Sequence, residues 1–160
     1  MITVRAILLD FYGTIVHEDD VVIAAVTGQI ADSIDRTEAA AEIGSYWWRS
    51  FSSLCQESFG EAFRPQRTLE RESLRRTLEN FESPLDPDRL SSLLYDYWQR
   101  PALFDDAAQF LNRNEIPVCV VSNIDRVDIT RAIEHHGLNL ERIITSEDAR
   151  AYKPRGEPVC

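Results

Sequence analysis

Hydrophobic and polar positions alternate between two regimes along the chain. Residues 3–9, TVRAILL, form a short apolar run rich in β-branched side chains and end on an acid, Asp10. A run of that length, closed by a glycine turn, predicts a buried strand. Residues 116–121, IPVCVV, repeat the pattern and run into Ser122-Asn123, and residues 142–145, RIIT, make a weaker third strand. Between these two, residues 125–136 carry Val127, Ile129 and Ile133 at loosely helical spacing and meet a helix stop at Gly137. A strand–helix–strand unit of this kind predicts parallel pairing.

The middle of the chain has a different period. Residues 19–34 and 38–59 read as helices, the second with Ile43, Trp47, Trp48, Phe51, Leu54 and Cys55 at helical spacing. Residues 68–82 are charged and helical, and Asp86-Pro87 opens a further helix through Gln99, with the acid as N-cap and proline in the first turn. Asp105 is expected to cap a helix reaching Asn112. The layout is α/β: residues 1–15 and 101–160 form a sheet-bearing core, and residues 16–100 form an inserted helical cap, too long for a plain loop.

Composition narrows the partners. The net charge is −10, of which −7 falls in residues 16–100, so neither part offers a basic face for nucleic acid or an anionic membrane. No run approaches the roughly 18 apolar residues of a membrane span, and the N-terminus reads as a core strand with no signal-peptide cleavage site. Cys55, Cys119 and Cys160 have no metal-ligand spacing and cannot all pair, which points to a reducing, cytoplasmic setting.

Candidate chemistry sits at the strand ends. Asp10-Phe11-Tyr12-Gly13-Thr14 puts a carboxylate where open α/β sheets bind ligands. It can attack an electrophile, or simply cap a turn. Ser122-Asn123 can orient an anion or serve as ordinary turn residues. Lys153, in Tyr152-Lys153-Pro154, is the only lysine beside 16 arginines. A compact ammonium there can hold Asp10 ionised and offset substrate charge; a solvated surface lysine is the plainer alternative.

Taken in order, Asp10, Ser122 and Lys153 resemble the first three motifs of the haloacid dehalogenase-like (HAD) hydrolase superfamily. The phrases SNID and SEDARAYKP are similar to that family's wording, over residues 1–15 and 101–157. The resemblance implies a Rossmann-like parallel sheet and covalent catalysis by Asp10, with Thr14, Ser122 and Asn123 binding substrate. Family phosphatases place a second acid two residues after the nucleophile, where this chain has Tyr12. A phenol of ordinary pKa near ~10 is a poor base at neutral pH, but a departing halide needs no proton. The DxYGT form is similar to the L-2-haloacid dehalogenase branch, in which a cap arginine beside aromatics accepts halide. Arg49 after Trp47-Trp48 resembles that neighbourhood, although an exposed helix arginine is the simpler reading.

The resemblance also implies a fourth, acid-bearing motif beyond Lys153, whereas the sequence ends seven residues later at Cys160 with only Glu157 acidic between them. Incomplete turnover by this chain alone is therefore expected, and the run 3–9 is expected at an open sheet edge, prone to self-association. Three functions follow: a cofactor-free dehalogenase-like hydrolase of a small anionic organic substrate, a Mg²⁺-dependent phosphatase with Asp10 as a metal ligand, or a non-catalytic binding module.

Overall fold

The computed structural model describes residues 4–155; Thr3, Glu157 and Cys160 lie outside them. Three parallel strands, β1 (Ile7–Leu9), β2 (Val118–Ser122) and β3 (Arg142–Thr145), pair in the order β1-β2-β3. Ile7 lies opposite Val118, and Val120 opposite Ile143. The first strand is shorter than its apolar run. Ile7 donates to the carbonyl of Pro117 at 2.9 Å, and proline has no N–H with which to carry the ladder further back.

Four helices stand between β1 and the return to the sheet: α1 (Asp20–Ser33), α2 (Ala40–Glu57), α3 (Gln66–Asn80) and α4 (Pro87–Gln99). A fifth, α5 (Asp105–Arg113), leads into β2, α6 (Arg126–His136) joins β2 to β3, and α7 (Ser146–Ala149) is one turn after β3. Asp86 caps α4 as expected, accepting from the Asp88 N–H at 3.0 Å. Asp105 does not cap α5: Phe104 holds the N-cap position and Asp105 is the first helical residue. Gly137 ends α6 at φ 60°, in the left-handed region.

One apolar cluster joins sheet and helices. Phe11 and Val16 from the turn after β1, Ile30 of α1, Ile43 and Trp47 of α2, Leu94 and Trp98 of α4, Val120 of β2 and Ile129 of α6 are all buried in it. Each large side chain contributes roughly 1.5–3 kcal/mol by leaving water. The helical segment therefore packs on the same core as the strands.

Polar ties reinforce this packing. The first N–H groups of α3 follow Pro65, whose side chain cannot cap them. Asp125, from the loop after β2, accepts both the Gln66 N–H at 2.7 Å and the Arg67 N–H at 2.9 Å. Asp125 also sits at the N-cap of α6, and there the Glu147 carboxylate accepts from the Arg126 N–H at 2.5 Å in its place. Arg67 grips the fully buried Asp128 of α6 through Nε at 2.9 Å and Nη2 at 2.5 Å.

Among the described residues β1 lies at the sheet edge, with Leu8 70% and Val4 57% exposed. Apolar edges without charge or proline template pairing with another chain. We expect concentration-dependent self-association through β1, weakened by Leu8→Lys. Light scattering over a concentration series checks it; a Leu8→Lys variant as associated as the parent removes β1 as the contact.

Candidate active site

Parallel pairing brings the carboxyl ends of the strands to one side. Asp10 follows β1, Ser122 ends β2 and Asn123 follows it. The turn after Asp10 is wound on the Phe11 carbonyl, which accepts from Ile15 N at 2.8 Å and Val16 N at 3.0 Å. Gly13 sits at φ +76°, and a Cβ there would lie 2.5 Å from Glu18 Oε1. The positive φ favours glycine, whereas the Glu18 contact is with the end of a flexible side chain that can shift. Gly13→Ala should destabilise the chain by about 1–2 kcal/mol and displace Glu18, measurable by denaturant titration. Phe11 and Ile15 are buried, so the turn is anchored while the Asp10 carboxylate remains 46% exposed.

That carboxylate is held at both oxygens. Oδ1 accepts from the Phe11 N–H at 2.8 Å, and Oδ2 from Lys153 Nζ at 2.7 Å. The same ammonium donates to the Val121 carbonyl at 2.7 Å. Asn123 holds the lysine's backbone, accepting from Lys153 N at 2.7 Å and donating to its carbonyl at 3.3 Å. Its side-chain amide is thus engaged with the Lys153 loop. Ser146 Oγ braces this from behind, donating to the Asn123 carbonyl at 2.9 Å. A single lysine among many arginines has a physical reason here: one small ammonium fits between two oxygens from different strands, where a planar fork would not.

Asp10, Tyr12, Ser122, Asn123 and Lys153 all line one cavity of about 400 Å³. Thr14 and Arg49 do not join them. Thr14 lines a separate depression beside Asp106 and Phe110. Arg49 is exposed on α2, whose neighbouring Trp48 is the residue that lines the Asp10 cavity; one residue along a helix rotates a side chain by about 100°. The Tyr12 hydroxyl donates to the Trp98 carbonyl at 2.5 Å, and burial raises its pKa well above the phenol's ordinary value, so it ties the turn to α4.

Several residues of the cavity escaped the sequence reading. Gln66 and Trp98 come from helices distant in sequence, and Glu18-Asp19-Asp20 stand at the start of α1. Asp20 does lie in the first turn of α1, but Asp19 makes no side-chain cap; it accepts from Trp98 Nε1 at 2.7 Å. Burial raises the Asp19 pKa against the lowering effect of that hydrogen bond.

A second acid stands behind this wall. Glu70 of α3 is 3% exposed, and neither carboxyl oxygen has a hydrogen-bond partner. Burial pushes its pKa up to about 7. The Ser91 hydroxyl and Tyr95 phenol pull the other way, but neither completes a hydrogen bond to it, and Tyr95 donates instead to the Arg67 carbonyl at 3.0 Å. Because the folded pKa lies above the ordinary carboxyl value of 4.5, stability from this group is fully present below pH 4.5 and lost as pH rises through about 7. The window is worth on the order of 3 kcal/mol. Urea titration at pH 5 and pH 8 should show Glu70→Gln losing markedly less stability across the interval than the parent chain.

Among the described residues no helix is long and apolar enough to cross a membrane. The fold is that of L-2-haloacid dehalogenases. The enzyme from Xanthobacter autotrophicus aligns with a TM-score of 0.69 at 18% identity, over 96% of this chain and 61% of that one. A second L-2-haloacid dehalogenase structure gives 0.73 at 18% identity, over 96% and 68%. A magnesium-bound HAD-hydrolase from Bacillus subtilis gives 0.68 at 14% identity, over 94% and 69%. The chain thus spans about three fifths of the Xanthobacter enzyme's length. No curated protein matches it. The family model for haloacid dehalogenase-like hydrolases matches residues 4–160, and the chain belongs to that family.

Proposed function

We propose that Asp10 is a nucleophile that forms an ester with a small anionic organic substrate, in dehalogenase fashion. The observation that carries this reading is the Asp10 carboxylate, ion-paired with Lys153 at 2.7 Å and open to a 400 Å³ cavity. A carboxylate oxygen attacks the halogen-bearing carbon, the carbon–halogen bond breaks, and halide leaves with the bonding pair. Water then adds at Asp10 Cγ and the acyl–oxygen bond breaks. The hydroxy product leaves, one proton is released and the carboxylate is restored. Lys153 balances charge on Asp10 and on an incoming anion. No step needs a proton from residue 12, which accords with Tyr12 being bound to Trp98. Activation of water needs a base, and among the described residues Glu18, Asp19 and Asp20 are the other carboxyls on the cavity wall.

The magnesium-dependent alternative finds less support. Mg²⁺ demands near-octahedral oxygen coordination. Here Lys153 occupies Asp10 Oδ2, position 12 offers a committed phenol, and the described residues include no cluster of three acidic, histidine or cysteine ligands. The described residues do not fit the ion.

Halide release from 2-haloacids, measured beside phosphate release from a phosphoester panel, tests the reading. Halide release, with ¹⁸O from labelled water appearing in the Asp10 carboxylate, is the expected result. Phosphate release alone would favour the phosphatase, and silence in both the binding module.

A further inference from the structure

A smaller cavity of about 180 Å³ adjoins the Asp10 cavity, and Asp19, Ile23, Trp48 and Trp98 are among the residues that line both. The polar atoms of its wall are mostly engaged elsewhere or closed off. Trp47 Nε1 donates to Ser73 at 3.0 Å and Trp98 Nε1 to Asp19 at 2.7 Å. Both Glu70 carboxyl oxygens are sealed inside the protein. Beside them lies the buried Ser91 hydroxyl, itself without a partner and the donor at hand for that acid. None of the lining residues is basic, and Asp19 repels an anion. Apart from Asp19 and the Gln66 amide, what faces the space is carbon: three indoles, the Phe51 ring, and the side chains of Ile23 and Leu94. An apolar cavity of roughly 150 Å³ accepts benzene, and aromatic rings gain from aromatic neighbours beyond the area they bury. Trp48, where the two cavities meet, is 66% exposed, so a ligand spanning them would take indole surface out of water. Gly44 leaves room on one side: a Cβ there would meet Thr27 Cγ2 at 3.6 Å, an ordinary contact.

We propose that this cavity receives an uncharged aromatic ring, which makes the substrate an aryl-bearing 2-haloacid. Its carboxylate and halogen-bearing carbon face Asp10 and Lys153, and its ring lies among Trp47, Trp98 and Leu94. That the ring belongs to a substrate rests on the hydrolase reading above; its place in the cavity does not.

Equilibrium binding on the full chain compares 3-phenylpropanoate and 4-phenylbutanoate with propanoate and butanoate. None carries a halogen, so binding is read without turnover. The better phenyl acid should bind at least about tenfold tighter than its parent, the scale of burying a phenyl group. Gly44→Leu fills the cavity with a side chain that helices favour over glycine. It should erase the phenyl advantage and leave the parent acids' binding unchanged. No phenyl advantage, or one that survives Gly44→Leu, overturns the proposal, since the ring then sits elsewhere or nowhere. Should Gly44→Leu fail to fold, NMR on the unaltered chain decides. Nuclear Overhauser contacts from the phenyl protons to Trp47 and Leu94, which line this cavity and not the Asp10 cavity, support the site. Their absence at saturation overturns it. Failure of the hydrolase reading appears as no halide release with the phenyl advantage intact, and failure of this proposal leaves halide release from small 2-haloacids untouched.

Discussion

Asp10→Asn is expected to lower hydrolysis by at least about a thousandfold, with the fold unchanged. An amide lacks the nucleophilic oxygen pair of a carboxylate, and removing a covalent nucleophile is among the most damaging changes a hydrolase can suffer. The side chain keeps its shape, so Oδ1 can still accept from the Phe11 N–H, while Lys153 loses its charged partner. Lys153→Arg should also impair the reaction, because the ammonium bridges Asp10 Oδ2 and the Val121 carbonyl at 2.7 Å each and a fork cannot fill a point site. Initial rates of halide release, on protein checked by mass spectrometry for deamidation back to aspartate, measure both. Full activity in Asp10→Asn would end the covalent mechanism.

Arg67→Ala should destabilise the chain by about 3–5 kcal/mol, the usual penalty for orphaning a buried charge. Asp128 is fully buried, and among the described residues its only other side-chain partner is Gln99, whose Nε2 donates at 3.1 Å. The aliphatic stem of Arg67 also carries a guanidinium 4.3 Å from the Tyr95 ring centre, so packing is lost with charge. Replacing both partners, Arg67→Met with Asp128→Leu, should recover much of the loss, since a well-packed apolar pair needs no mutual solvation. Denaturant titrations of the single and double variants provide the check. A single variant within ~1 kcal/mol of the parent would mean that Asp128 is served by water or by Gln99 alone.

Much of this site was legible in the sequence because its chemistry lies at strand ends. The runs before Asp10 and Ser122 mark the strands, parallel pairing aligns their ends, and a lone lysine marks a place where charge must be compact. Contacts between distant helices left less trace. In the sequence Asp19 is simply the first residue of a helical segment, and only the folded chain shows it paired with the Trp98 indole. Glu70 looked like one acid in a charged helix, and three-dimensional packing alone buries it. Thr14 and Arg49 lie off the Asp10 cavity for a geometric reason: sequence proximity to a motif does not set the direction of a side chain in a tight turn or on a helix.

Asp125 bears on how members of this family could be recombined. The loop that presents Ser122 and Asn123 to the cavity also supplies the carboxylate that seats the start of α3. A transplanted helical insert must therefore begin its third helix with free N–H groups at the height of that aspartate. It must also carry an arginine one position later to meet Asp128. Chimaeras that preserve this docking register should inherit the recipient's strand-end loop intact, whereas those that break it would be misassembled at the seam.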